Sequence, residues 1–404
     1  MSLDVPRLAA IRLAAALVVP IALAGCAGTG GSISPAGGST VPLSGPGGGD
    51  GRTIVVTMTD VGCPPVPATI SAGPVTFQVV NQDSGRSSEA ELVQGDRILG
   101  EKENLTPGLS GSFSLELAAG DYEVYCPGAT TERTPFTVSA GSSAEPSPAG
   151  SSGATDAELA AALKAATVGY ATYVRHEVAS LAGATARFAL AVEAGDVEAA
   201  KALYPVARIP YERIEPVAES FGDLDPAIDI RIADVDDAST WTGFHRLEKA
   251  LWVDRSLAGM TPIARQLVAD VGRLQGLVET ATYQPAQLAN GASELLDEVA
   301  SSKVTGEEEA YSRIDLVDFA ANIDGARAAF ELLRPALDLV DPALATTISD
   351  RFAEVTAALA RYQRGDGYVP YDELTQADIR SLSAAVAALA EPLSQVAAKL
   401  VHGS

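Results

Sequence analysis

A stretch of low complexity, Ser139 to Ala154 (SAGSSAEPSPAGSSGA), divides the chain into two parts with different hydrophobic periods. Upstream the residues alternate as strands do: Thr53-Ile-Val-Val-Thr-Met-Thr, Val75-Thr-Phe-Gln-Val-Val, Ser112-Phe-Ser-Leu-Glu-Leu, Tyr122-Glu-Val-Tyr and Phe136-Thr-Val, separated by Gly, Pro, Asn and Asp turns. About 90 residues of this kind predict a small all-β sandwich. Downstream, roughly 250 Ala/Leu/Glu-rich residues with helical periodicity are enough for an all-α bundle with its own core. The expected fold class is therefore a two-domain chain, sandwich first and bundle second, with a linker at 140–154.

The N-terminus carries a targeting signal. Arg7 and Arg12 flank the start of an apolar run from Leu13 to Leu23 that is too short for a permanent membrane span. The run ends Leu23-Ala24-Gly25-Cys26, which resembles the lipobox of bacterial lipoproteins, so residues 1–26 read as a signal and Cys26 as the lipidated first residue of the mature chain; an ordinary cleaved signal is the alternative. A Gly/Ser/Pro-rich tether follows at 27–51. No later segment reads as apolar enough to cross a membrane. The expected location is the extracytoplasmic face of the cell membrane, with the membrane contacted through the lipid anchor.

Charge narrows the partners. With 28 Lys plus Arg against 52 Asp plus Glu the net charge is 28 − 52 = −24, which opposes nucleic-acid binding and favours multivalent cations.

Only three histidines occur in 404 residues. His245 lies in Gly243-Phe-His-Arg-Leu-Glu-Lys249 with Glu248 three positions on, so on a helix an imidazole and a carboxylate share one face and can reach the same cation. His176 is expected to be solvated and His402 sits in the tail. At about 100° per residue, Leu159, Leu163, Ala166, Tyr170, Val174, Leu181, Ala184 and Phe188 form an apolar stripe with Glu177 at its centre. A carboxylate there needs a hydrogen-bond partner, an arginine or a metal. A helix from Glu307 to Arg334, ended or kinked by Pro335, would align Tyr311, Asp315, Asp318 and Asn322 before an apolar half, as if lining a polar cavity. Glu212 and Glu215 share another face, with Arg208 and Arg213 near enough in sequence to neutralise them, Glu212 especially. His245 and Glu248, joined by Glu177, Asp315, Asp318 and Glu215, make the candidate metal site. One imidazole with several oxygens suits iron or zinc, or manganese as the carboxylates multiply.

Several long boxes in fixed order carry a family resemblance: Ala200-Lys-Ala-Leu-Tyr, Tyr211-Glu-Arg-Ile-Glu-Pro, Gly243-Phe-His-Arg-Leu-Glu-Lys-Ala-Leu, Gly306-Glu-Glu and Tyr311-Ser-Arg-Ile-Asp-Leu-Val-Asp-Phe-Ala-Ala-Asn. From Thr53 to the C-terminus the chain resembles the EfeO-type family of iron-uptake lipoproteins. The resemblance implies a cupredoxin-like domain at 52–139 and an imelysin/EfeM-like helical metal-binding domain at 155–404. It further implies a non-enzymatic role in capturing ferrous or ferric iron beside two partners, an iron permease and a dye-decolorising haem peroxidase. Arg313 stands where relatives commonly carry a histidine, so that contribution to the site is missing.

Residues 1–150 hold no histidine, which excludes a blue-copper centre in the front domain. Cys63 and Cys126 either form a disulfide, as leftover pairs in an oxidising compartment commonly do, or join Glu89 and Glu91 in a second site for copper or iron. A zinc peptidase using His245 and Glu248 is another reading, weakened by the missing second histidine of a His-Glu-x-x-His helix. A structural lipoprotein without metal is a third.

Overall fold

The structure, a computed structural model, describes residues 52–95, 97–140, 153–235, 237–301 and 303–402. The signal, Cys26, the tether and most of the linker lie outside the described residues.

The front part is a sandwich of nine strands: β1 (Arg52–Met58), β2 (Pro65–Val66), β3 (Thr69–Ser71), β4 (Gly73–Asn81), β5 (Ala90–Gln94), β6 (Arg97–Lys102), β7 (Ser110–Leu117), β8 (Gly120–Tyr125) and β9 (Arg133–Ser139). One sheet has the order β2-β1-β4-β7 and the other β3-β9-β8-β5-β6. The β1–β4 and β3–β9 pairs are parallel and the remaining pairs antiparallel. Alternation builds the core, because Ile54, Val56 and Met58 of β1 and Val75, Phe77 and Val79 of β4 all point inward. Phe77 stacks on Phe113 at 5.0 Å and meets Phe136 of the facing sheet edge-on at 5.5 Å. Alternation does not betray β5, whose residues Ala90–Val93 are all buried. Cys63, after β1, and Cys126, after β8, are joined in a disulfide that ties one sheet to the other. That bond corrects the thiolate-site alternative, since neither sulfur is left to ligate a metal.

The helical part contains α1 (Gly153–Glu193), α2 (Val197–Glu212), α3 (Leu224–Asp229), α4 (Gly243–Lys249), α5 (Thr261–Val278), α6 (Pro285–Ser301), α7 (Asp315–Val340), α8 (Pro342–Leu359), α9 (Gln376–Leu393) and α10 (Val396–His402). The stripe read along α1 is the buried one: Leu159, Ala166, Tyr170, Val174, Leu181, Ala184 and Phe188 face the core. Two helix limits differ from expectation. α7 starts at Asp315, not Glu307, because the chain before it turns through Arg313 in a left-handed conformation (φ 64°). Pro335 stays inside α7, where buried Leu333, Ala336 and Leu337 hold the helix on both sides of the missing N–H.

The stretch Gln376–His402 has the length and hydropathy of a membrane span, contrary to the expectation that none would. Here α9 packs on α6 and α8, and α10 packs on α6 and β7, so the apolar residues Leu382, Val386, Leu389 and Leu400 serve the core.

Sandwich and bundle share an interface. Lys102 of β6 reaches Glu294 and Asp297 of α6, each at 2.9 Å, and the Asn290 amide donates to the Ser114 carbonyl at 2.9 Å.

Candidate metal centre

The centre forms where α4 meets the end of α3. Gly243 opens α4 with φ 81°, and a Cβ there would collide with the Ile228 carbonyl oxygen. This close approach puts His245, one turn into α4, beside Asp229 at the end of α3. The imidazole is 2% exposed. Its Nδ1 lies 3.1 Å from Glu248 Oε2, the pairing anticipated from their spacing. Its Nε2 lies 3.5 Å from Asp229 Oδ1 and 3.6 Å from Glu308 Oε1, beyond hydrogen-bonding distance, and has no hydrogen-bond partner.

Glu248 is fully buried and fixed from a second direction: its Oε1 accepts the backbone N–H groups of Tyr311 (2.8 Å) and Ser312 (2.7 Å). The loop between α6 and α7 therefore wraps the motif, and it brings Glu308 and Glu309 with it. Gly306 sets its course with φ 82°, pressed against the Tyr371 ring. Two groups of donors result, Asp229–His245–Glu308 and His245–Glu248–Glu309, each with donor atoms within 4.8 Å of one another.

Behind them runs a polar seam between α2 and α7. Tyr204, Arg208 and Glu212 recur at four-residue spacing on α2 and face inward. Arg208 is fully buried, with Glu308 (3.3 Å), Glu309 (3.2 Å) and Asp318 (3.1 Å) around it and Glu212 and Asp229 also in contact. Tyr204 donates to Glu309 at 3.0 Å, and the Asn322 amide donates to Glu212 at 2.9 Å. Lys303 binds Glu215 and lies 3.8 Å from Glu308.

Protonation follows from these contacts. Burial opposes charge on Glu308, yet Lys303, His245 and Arg208 hold its carboxyl well below the usual range. Burial likewise works against ionised Glu248, and His245 with the two loop N–H groups lowers its pKa. Burial and Arg208 disfavour the imidazolium, but Glu248 and Glu308 carry the His245 pKa above its ordinary value. Burial pushes Glu309 well up, aided by the charges of Glu248 and Asp318, and pushes Asp315 to about 6 and Asp318 to about 7. Acids outnumber Arg208 and Lys303 in this space, and the raised pKa values of Glu309, Asp315 and Asp318 mean that protons offset part of the excess.

The expected ligands divide. His245 and Glu248 meet. Asp315 lies beside them, one oxygen accepting the Glu309 N–H at 3.1 Å and the other without a hydrogen bond. Asp318 is tied to Arg208 and Glu215 to Lys303, as structural ion pairs. Glu177 is buried as expected, but its carboxylate pairs with His176 (3.3 Å) and Arg213 (3.7 Å), and the donor groups among the described residues do not include it. Glu89 and Glu91 have lost their cysteine partners to the disulfide. Asp229, Glu308 and Glu309 were not anticipated. Glu308 stands in the Gly306-Glu-Glu box and Glu309 directly follows it, in a loop that has no period to read; nothing in the sequence marks Asp229 apart from the glycine that packs beside it.

A cavity of about 410 Å³, lined by His245, Glu248, Glu308, Trp241, Tyr311 and Arg313 among others, adjoins the centre. Arg313, part of that lining, donates from its guanidinium to the Gly306 carbonyl at 3.1 Å.

The imelysin family matches residues 166–396, and the cupredoxin-like domain matches residues 44–135. The iron uptake system component EfeO of Escherichia coli K12 is 38% identical over 346 residues, spanning 85% of this chain and 90% of the relative; EfeO of Shigella flexneri matches to the same extent. Among solved structures, a putative iron-regulated protein A precursor from Parabacteroides distasonis is similar over 64% of this chain and 97% of that one, at 16% identity and a TM-score of 0.48.

Proposed function

Because the chain belongs to the EfeO family, with a cupredoxin-like domain ahead of an imelysin domain, we propose that it is the extracytoplasmic iron-binding component of an iron uptake system. Iron is its cargo, captured between His245, Asp229, Glu248, Glu308 and Glu309 and presented to a membrane permease, with a haem peroxidase as second partner. The observation that carries this reading is the buried His245 Nε2, without a hydrogen bond and set between the carboxylates of Asp229 and Glu308 at 3.5 and 3.6 Å. Carboxylates bind iron yet exchange it, as delivery requires, whereas a closed thiolate cage would hold it.

The carboxylate-rich donor set also weighs against a zinc peptidase. His176 is solvated and His402 contacts Thr76, so neither supplies a second imidazole at the motif. We further propose lipidation at Cys26, which confines the protein near the permease and raises its effective concentration there. Deleting the protein in a strain with no other iron importer is expected to impair uptake at low external iron, with Cys26→Ser complementing poorly at equal expression. Normal uptake in the deletion strain would overturn the transport reading.

A further inference from the structure

The cavity beside the metal centre is larger than an ion requires. At about 410 Å³ it has the size of a small-molecule site, roughly 300–1,000 Å³, against the ~30 Å³ that one water molecule occupies. Trp241, Tyr311, Ile232 and Ala310 give it apolar walls, and His245, Glu248 and Glu308 of the metal centre stand in the same lining. A cation held by those side chains therefore has one side turned to the cavity.

Two guanidinium groups share this space, and they differ in what they face. Arg231 is committed, its Nε lying 3.1 Å from Asp234 and its Nη1 3.2 Å from Glu308. Arg313 has no ion pair among the described residues, and its guanidinium donates to a neutral acceptor, the Gly306 carbonyl, at 3.1 Å. A guanidinium carries five N–H donors, so one carbonyl leaves most of its planar fork for an anion.

We propose that the cavity takes a small organic polycarboxylate that arrives with the iron, one carboxylate on Arg313, the others on the metal, and the carbon skeleton against Trp241 and Tyr311. This names the cargo as an iron chelate, and it rests on the iron-binding reading of the His245 group. A guanidinium matches a carboxylate through two parallel hydrogen bonds, and apolar walls favour a carbon-bearing anion over inorganic phosphate. Asp234, Glu248, Glu307 and Glu308 also line the cavity, so an anion alone is repelled and the bound cation reverses that balance. Iron and anion should then tighten each other by the same factor.

The full chain is dialysed anaerobically to equilibrium against radiolabelled citrate, with and without ferrous iron, and against phosphate in place of citrate. Wild type is expected to retain citrate only when iron is present, and to bind iron about tenfold more tightly with citrate than without. Phosphate should produce neither effect; an equal effect of phosphate would overturn the assignment of an organic anion. Arg313→Gln should lose citrate retention and the citrate-dependent tightening, yet bind ferrous iron alone as wild type does, because no donor atom of the metal centre is removed. Ile232→Trp, which fills the cavity and leaves the sequence of the Arg313 loop intact, should do the same. Citrate retained by both variants at the wild-type level overturns the proposal, as does iron binding by wild type without citrate retention; in either case the iron reading stands. Binding of no iron by wild type, with or without citrate, would refute that reading and the proposal together.

Discussion

His245 Nδ1 lies 3.1 Å from Glu248 Oε2 while its Nε2 turns to Asp229 and Glu308. The Glu248 contact orients the ring, so Nε2, set between two carboxylates, is the nitrogen that meets the incoming cation. Asp229→Asn and Glu308→Gln should therefore each weaken iron binding by about tenfold or more. Glu177→Gln, whose parent carboxylate serves Arg213 and His176, should leave binding as in wild type. Isothermal titration of the three variants checks this, and an effect of Glu177→Gln equal to the others would place it back among the ligands.

Binding should weaken as pH falls. Protons compete for the same atoms: Glu248 and Glu308 raise the His245 pKa above its ordinary value, and burial pushes Glu309 well up. Between pH 7.5 and 5.5 ferrous-iron affinity should drop by about tenfold or more, with proton release on loading. Calorimetry in buffers of different ionisation enthalpy would detect the released protons.

Stability of the metal-free chain should run the other way. Burial, then the charges of Glu101 and Glu89, raise Glu91 to about 8, and burial raises Glu101, Glu103 and Glu219 in the same direction. A carboxyl with a raised folded pKa binds more protons folded than unfolded, so its contribution declines as pH rises from about 4.5 toward 8. Glu248 and Glu308, shifted down, lose their contributions only below about 4.5. With a chelator present, the melting temperature at pH 8 should fall below that at pH 5.5 by about 3 °C or more.

Arg208 is the structural counterpart of the cation. Arg208→Met leaves Glu212 and Glu308, whose pKa values Arg208 helps to lower, buried without its guanidinium and should destabilise the fold by about 3–5 kcal/mol. Urea denaturation measures it; an undiminished midpoint would mean that these acids are protonated in wild type.

What could be read from sequence followed the periods. Alternation in β1 and β4 and the apolar stripe of α1 identified sandwich and bundle, and the three-residue spacing of His245 and Glu248 predicted their contact. The rest of the centre depends on backbone approach. Gly243 against Ile228 brings in Asp229, and the loop folded over Glu248 brings in Glu308 and Glu309; neither contact leaves a periodic signal. Glu177 was correctly read as buried, but burial did not say whether an arginine or a metal would compensate it. The Asp315–Asp318–Asn322 stripe was real, yet it faces α2, where Arg208 takes Asp318 and Glu212 takes Asn322.

The central claim is that His245 is a ligand to the bound iron. Equilibrium iron binding by the full chain and by His245→Ala, each checked for folding by circular dichroism, tests it most directly. The account predicts a loss of affinity of about tenfold or more in a variant that remains folded. Unchanged affinity in the folded variant would contradict it.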